Sequence, residues 1–178
     1  RGRGPARHRV FAFVIDTPGS MGGLIEGAKR KIWSIANEVQ KAQQKPELRI
    51  GLVAYRDHGD EYVTQVTPLT TDVDAVYGTL MQLRADGGGD TPEDVNAGLE
   101  AALHQMQWSS DKDTLRMVFL VGDAPAHMDY QETSWPKLAH EATTKAIYVN
   151  TVQCGGDPQT TAMWKNIASA AEGRYAAI

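Results

Sequence analysis

Residues 10–22 read V-F-A-F-V-I-D-T-P-G-S-M-G. The six apolar residues Val10 to Ile15 are rich in β-formers and show no polar alternation, the pattern of a strand covered on both faces. Asp16 closes the run and Pro18-Gly19 breaks it. Behind it, Leu24, Ala28, Ile32, Ile35 and Val39 recur at spacings of three and four, which predicts an amphipathic helix. A fully covered strand feeding directly into a helix is the first half of a strand–helix–strand unit.

The rest of the chain repeats that alternation. Strands are expected over Arg49 to Tyr55, Arg116 to Val121, Ile147 to Val152 and Arg174 to Ile178. Helices are expected around Val73 to Leu83, from Thr91 to Met106, near Leu138 to Ala146, and over Thr160 to Ala171. Thr91 reads as the cap of its helix, with Pro92 at the first helical position. Tyr62 to Leu69 alternates in β-formers and follows a strand closely, so it is expected to pair antiparallel at an edge, where Pro68 does least harm. The fold class is therefore α/β: a doubly wound, mostly parallel six-stranded sheet with one antiparallel edge strand and helices on both faces.

At 178 residues, 42% hydrophobic and 22% charged, the chain is long enough for one well-buried core and is not of disordered composition. A single cysteine, Cys154, excludes an internal disulfide and reads as a small buried filler. The longest apolar runs are far too short to span a bilayer, and no signal peptide is visible, so the compartment stays open. The net charge is −4, yet residues 1–9 carry four arginines and no acid, leaving the remainder four units more negative than the whole. A basic N-terminal arm or linker on an acidic domain, residues 10–178, is a poor match to a nucleic-acid binder.

Two expected strands end at an aspartate, Asp16 and Asp123. On an open parallel sheet, ligands bind beyond the carboxyl ends of the strands, where strand order reverses. If these strands are neighbours, both carboxylates converge there. No Lys or Arg lies in the first loop to neutralise them. Two like charges at one buried edge raise each other's pKa, and a hard divalent cation with oxygen ligands resolves the conflict.

The segment F-V-I-D-T-P-G-S-M-G resembles the first motif of von Willebrand factor type A domains, whose metal-ion-dependent adhesion site has the pattern Asp-x-Ser-x-Ser. G-G-G-D-T-P-E is similar to that family's second motif and F-L-V-G-D-A-P-A-H to its third. The wording L-V-A-Y-R-D and G-D-A-P-x-H resembles a subgroup found in bacterial proteins and beside atypical protein-kinase domains. The resemblance implies a Rossmann-like fold and a metal bound by Asp16, Ser20, Thr91 and Asp123, with Asp57, Asp90 and His127 around it. It also implies Mg²⁺ (or Mn²⁺ or Ca²⁺) as the ion, and a protein partner that offers an Asp or Glu to it. Pro18 departs from the pattern: it stands where the first serine belongs and offers no side-chain oxygen, so weaker or absent metal binding is expected. Pro18-Gly19 also fits the middle of a type II turn.

Two other function classes are compatible with the residues. One is a metal-free regulatory or scaffolding module of a larger protein. The other is a serine hydrolase using Ser20, Asp123 and His127, against which stand a missing glycine before the serine and the closeness of Asp123 to His127 in sequence. A P-loop is excluded, because Ala28 occupies the lysine position.

Overall fold

The computed structural model describes residues 7–43, 45–85 and 91–178. Six strands form one sheet: β1 (His8–Asp16), β2 (Glu47–Tyr55), β3 (Thr64–Thr70), β4 (Thr114–Gly122), β5 (Ile147–Gln153) and β6 (Tyr175–Ala177). Their order is β3-β2-β1-β4-β5-β6, parallel throughout except that β3 runs antiparallel to β2 at one edge. The register of that edge slips between Ile50 and Leu52. Pro68, which has no N–H to give, falls opposite the slip, where no ladder bond is required of it.

Five helices cover the sheet: α1 (Ile25–Gln40), α2 (Val73–Gln82), α3 (Val95–His104), α4 (Trp135–Thr144) and α5 (Pro158–Ala170). Alternation along β1 assigns them to faces. Phe11, Phe13 and Ile15 pack with residues of α1 and α2, whereas Ala12 and Val14 pack with residues of α3, α4 and α5. Both faces are thus closed, which is why β1 carries no polar residue between Val10 and Ile15. Among the described residues no helix is long and apolar enough to cross a membrane.

The helix starts differ from expectation at the position that matters most. Thr91 does not cap α3. Asp94 does, its Oδ1 accepting the Ala97 N–H at 2.9 Å, and the helix opens at Val95. Glu93 instead bridges to the loop after β4: its N–H donates to Pro125 O at 3.0 Å and the His127 N–H donates to Glu93 O at 3.1 Å. A carboxylate at the cap outcompetes the threonine hydroxyl, because it accepts a stronger bond and favours the positive end of the helix. Asp157 caps α5 in the same way.

α3 lies unusually close to the sheet. A Cβ added at Gly98 would stand 2.9 Å from Tyr55 Cδ1 and 3.0 Å from Val14 Cγ1. Gly98→Ala is expected to destabilise by about 1–3 kcal/mol through overpacking, read as a lowered midpoint in urea unfolding. An unchanged midpoint would show that α3 can back away freely.

Candidate functional site

β1 leaves the sheet at Asp16 beside the end of β4, with Ile15 paired to Val121. This is the switch point: the chain runs from β1 outward to β2 and β3, then crosses to β4 on the other side. The expected convergence is present. The Asp16 carboxyl is fully buried, faces Asp123 and Glu93, and neither of its oxygens has a well-aligned hydrogen bond. Burial, then the Glu93 and Asp123 charges, push its pKa well above the usual carboxylate range, although the Asp123 backbone N–H pulls the other way. Among the described residues no Lys or Arg pairs with Asp16 or Asp123.

Ser20 sits in a 3-10 turn, Gly19–Met21, and its hydroxyl donates to Asp123 Oδ1 at 3.2 Å. It caps no helix, since α1 begins after Leu24. The type II turn expected at Pro18-Gly19 is not formed. Pro18 opens the 3-10 turn with φ −73° and ψ 173°, its carbonyl accepting the Met21 N–H at 3.0 Å. Asp123 is fixed from behind by the Thr160 hydroxyl, which donates to its backbone carbonyl at 3.2 Å. Cys154 is buried beside the pair, and burial together with Asp123 and Asp16 pushes its thiol up to about 12, so it stays neutral.

Thr91 is exposed, two residues ahead of Glu93. Asp90 lies outside the described residues. The acid that does turn inward is Glu93, 1% exposed, placed by the bridge to Ala126. Sequence reading missed it. Its one available signal was its position two residues after Thr91 in a motif already identified. Arg56, next to Asp57 after β2, is buried behind the first loop. Its Nε donates to Thr17 Oγ1 at 3.3 Å and its guanidinium lies 4.5 Å from the centroid of the Tyr62 ring. It therefore anchors the loop at Thr17 instead of neutralising Asp16.

Asp57 and His127 pair with one another. His127 Nε2 is 3.1 Å from Asp57 Oδ2, and Nδ1 is 2.8 Å from Asp129 Oδ1. Carboxylates only accept, so bonding at both nitrogens calls for the imidazolium. Burial opposes that charge, but the bonds to Asp129 and Asp57 outweigh it and raise the His127 pKa. Tyr130 donates to Asp57 Oδ1 at 2.8 Å, and its ring is sandwiched between His58 and His127 at centroid distances of 4.1 and 4.0 Å. The hydrolase arrangement is not assembled: the Ser20 hydroxyl is bonded to Asp123, and both His127 nitrogens are occupied by other carboxylates.

These features define a class of protein: an open α/β domain whose switch point is lined, among the described residues, by carboxylates and a hydroxyl with no basic side chain between them. A profile of the von Willebrand factor A domain matches residues 10–178, and the chain belongs to that family. It is 38% identical over 93 residues to mouse von Willebrand factor A domain-containing protein 7, covering 52% of this chain and 10% of that protein. It is 27% identical over 117 residues to the alpha-protein kinase vwkA of Dictyostelium discoideum, covering 65% of this chain and 18% of the kinase. The chain thus spans less than a fifth of the length of these two relatives. Its fold is similar to that of proximal thread matrix protein 1 from the mussel byssus, solved with a zinc-occupied MIDAS motif. There the TM-score is 0.75 at 17% identity, over 97% of this chain and 42% of that one.

Proposed function

We propose that this domain binds a protein partner through a divalent cation held at the β1–β4 junction by Asp16, Ser20 and Asp123, with Thr91 on the adjoining loop. The observation that carries this is the Asp16 carboxyl, fully buried, without a well-aligned hydrogen bond or a basic partner among the described residues, and facing two further acids. Such a group is costly unless a cation reaches it. An all-oxygen donor set fits Mg²⁺, Mn²⁺ or Ca²⁺. A bound ion of this kind would leave a coordination position for an Asp or Glu of the partner. Glu93 adds negative charge beyond that of the expected ligands Asp16, Ser20, Thr91 and Asp123, which favours retention of the cation despite the hydroxyl lost at Pro18. The same charge makes the ion less electrophilic, so the partner's carboxylate is held more weakly than beside hydroxyl ligands alone.

A thermal-shift titration tests this. Millimolar Mg²⁺ or Mn²⁺ is expected to raise Tm, Asp123→Ala to remove the rise, and Pro18→Ser to bring it on at lower metal concentration. No rise in a well-folded sample would leave the scaffolding role in its place.

A further inference from the structure

Back to back with the first site, the same short segment builds a second cluster. Glu93 turns toward Asp16, whereas Asp94, the next residue, turns toward His58 and Glu132. Asp94 is 0% exposed; its Oδ1 accepts the Ala97 N–H, while its Oδ2 accepts no well-aligned hydrogen bond and lies 2.8 Å from His58 Nε2. Glu132 is half-buried and faces Asp94, and its Oε1 is enclosed without a hydrogen-bond partner. Two facing carboxyls can bond directly only by sharing a proton. The imidazole is presented edge-on to them because its ring is stacked on Tyr130 at an interplanar angle of 5°.

We infer that His58, Asp94 and Glu132 form a second cation site, selective for an imidazole-accepting divalent ion of the Zn²⁺ class. One ligand atom from each residue lies within 4.8 Å of the other two. Tetrahedral Zn²⁺, with bonds of about 2.0–2.2 Å, spaces its ligands by about 3.4 Å. The His58–Asp94 pair, now 2.8 Å apart, must open by about 0.6 Å to reach that spacing. A small movement of the half-exposed His58 ring along Tyr130 supplies this while Asp94 stays pinned by its cap, and a rotamer adjustment brings in Glu132. Two carboxylates and one neutral imidazole balance the ion's charge. The fourth position faces solvent on the side of His58, whose side chain is half-exposed. The nitrogen ligand separates this site from the all-oxygen site beside it. The inference is independent of the first site's occupancy.

The test uses the whole chain with the first site silenced in two ways, by Asp123→Ala and by saturating Mg²⁺ on the wild type. Equilibrium dialysis against Zn²⁺ is expected to find one equivalent bound in both samples. Co²⁺ in place of Zn²⁺ should give visible d–d bands, and the His58 imidazole resonances should shift on metal addition. His58→Ala and Glu132→Gln, each in the Asp123→Ala chain, should weaken Zn²⁺ binding at least tenfold and remove the bands. His58 is exposed and Gln preserves the size of Glu132, so both variants should fold, with circular dichroism as the control. The assignment is overturned if neither silenced sample binds Zn²⁺, or if binding survives both substitutions unchanged.

Discussion

Asp16→Asn is expected to make the metal-free protein more stable at neutral pH while erasing its response to divalent cations. The Asp16 carboxyl has an ordinary pKa near 3.8 when unfolded and a raised one when folded, chiefly because it is buried and then because of Glu93 and Asp123. The folded state therefore holds the Asp16 proton more tightly. Its contribution to stability is complete below the unfolded pKa and is lost as pH rises toward the folded one. Asn carries no charge to desolvate, and its amide can donate to the carboxylates that Asp16 repels. The gain should be about 1–3 kcal/mol, the usual cost of a buried polar group without a partner. For a chain of this length each kcal/mol corresponds to roughly 2–4 °C in Tm. Chemical denaturation at pH 4 and pH 7, with and without Mg²⁺, measures this directly. The wild type without metal should lose stability relative to Asp16→Asn between the two pH values, and metal should restore it only in the wild type. A variant that is less stable at pH 7 and still responds to Mg²⁺ would refute the account of Asp16.

Gly122→Ala is expected to damage fold and site together. A Cβ there would stand 2.6 Å from Asp16 Cβ, 2.8 Å from the Tyr55 hydroxyl and 3.0 Å from Asp16 Oδ2. The nearest atom is fixed to the β1 backbone, so relief requires the ends of β1 and β4 to part. The cost should reach about 3 kcal/mol, the upper end for an inserted methyl, and the metal response should fall with it because Asp16 moves relative to Asp123. Adding Tyr55→Phe removes only the hydroxyl contact and should recover little of the loss. Full recovery would mean that Tyr55, and not the strand pair, sets the spacing.

The fold was readable because its signals are local. The apolar run of β1 is unbroken because both faces are covered, and α1 and α5 announce themselves by spacing. The first-loop reading was less complete. Pro18-Gly19 satisfied the residue preferences of a type II turn, but the chain chose a 3-10 turn that carries the Ser20 hydroxyl to Asp123. Thr91 satisfied the preferences of a cap, but Asp94 was three residues away and binds the helix N-terminus better. In both cases two local solutions were acceptable, and long-range contacts chose between them.

Alternating periodicity and strand-ending acids were enough to determine the sheet, its edge strand and the candidacy of Asp16 and Asp123, because each depends only on a residue and its near neighbours in the chain. Which side chains share a charge field depends on pairings across the fold. The bridge between Glu93 and Ala126, the anchoring of Thr17 by Arg56, and the meeting of His58, Asp94 and Glu132 join segments tens of residues apart. Electrostatic energy depends on distance through space, and that distance was set only when β1 and β4 closed side by side.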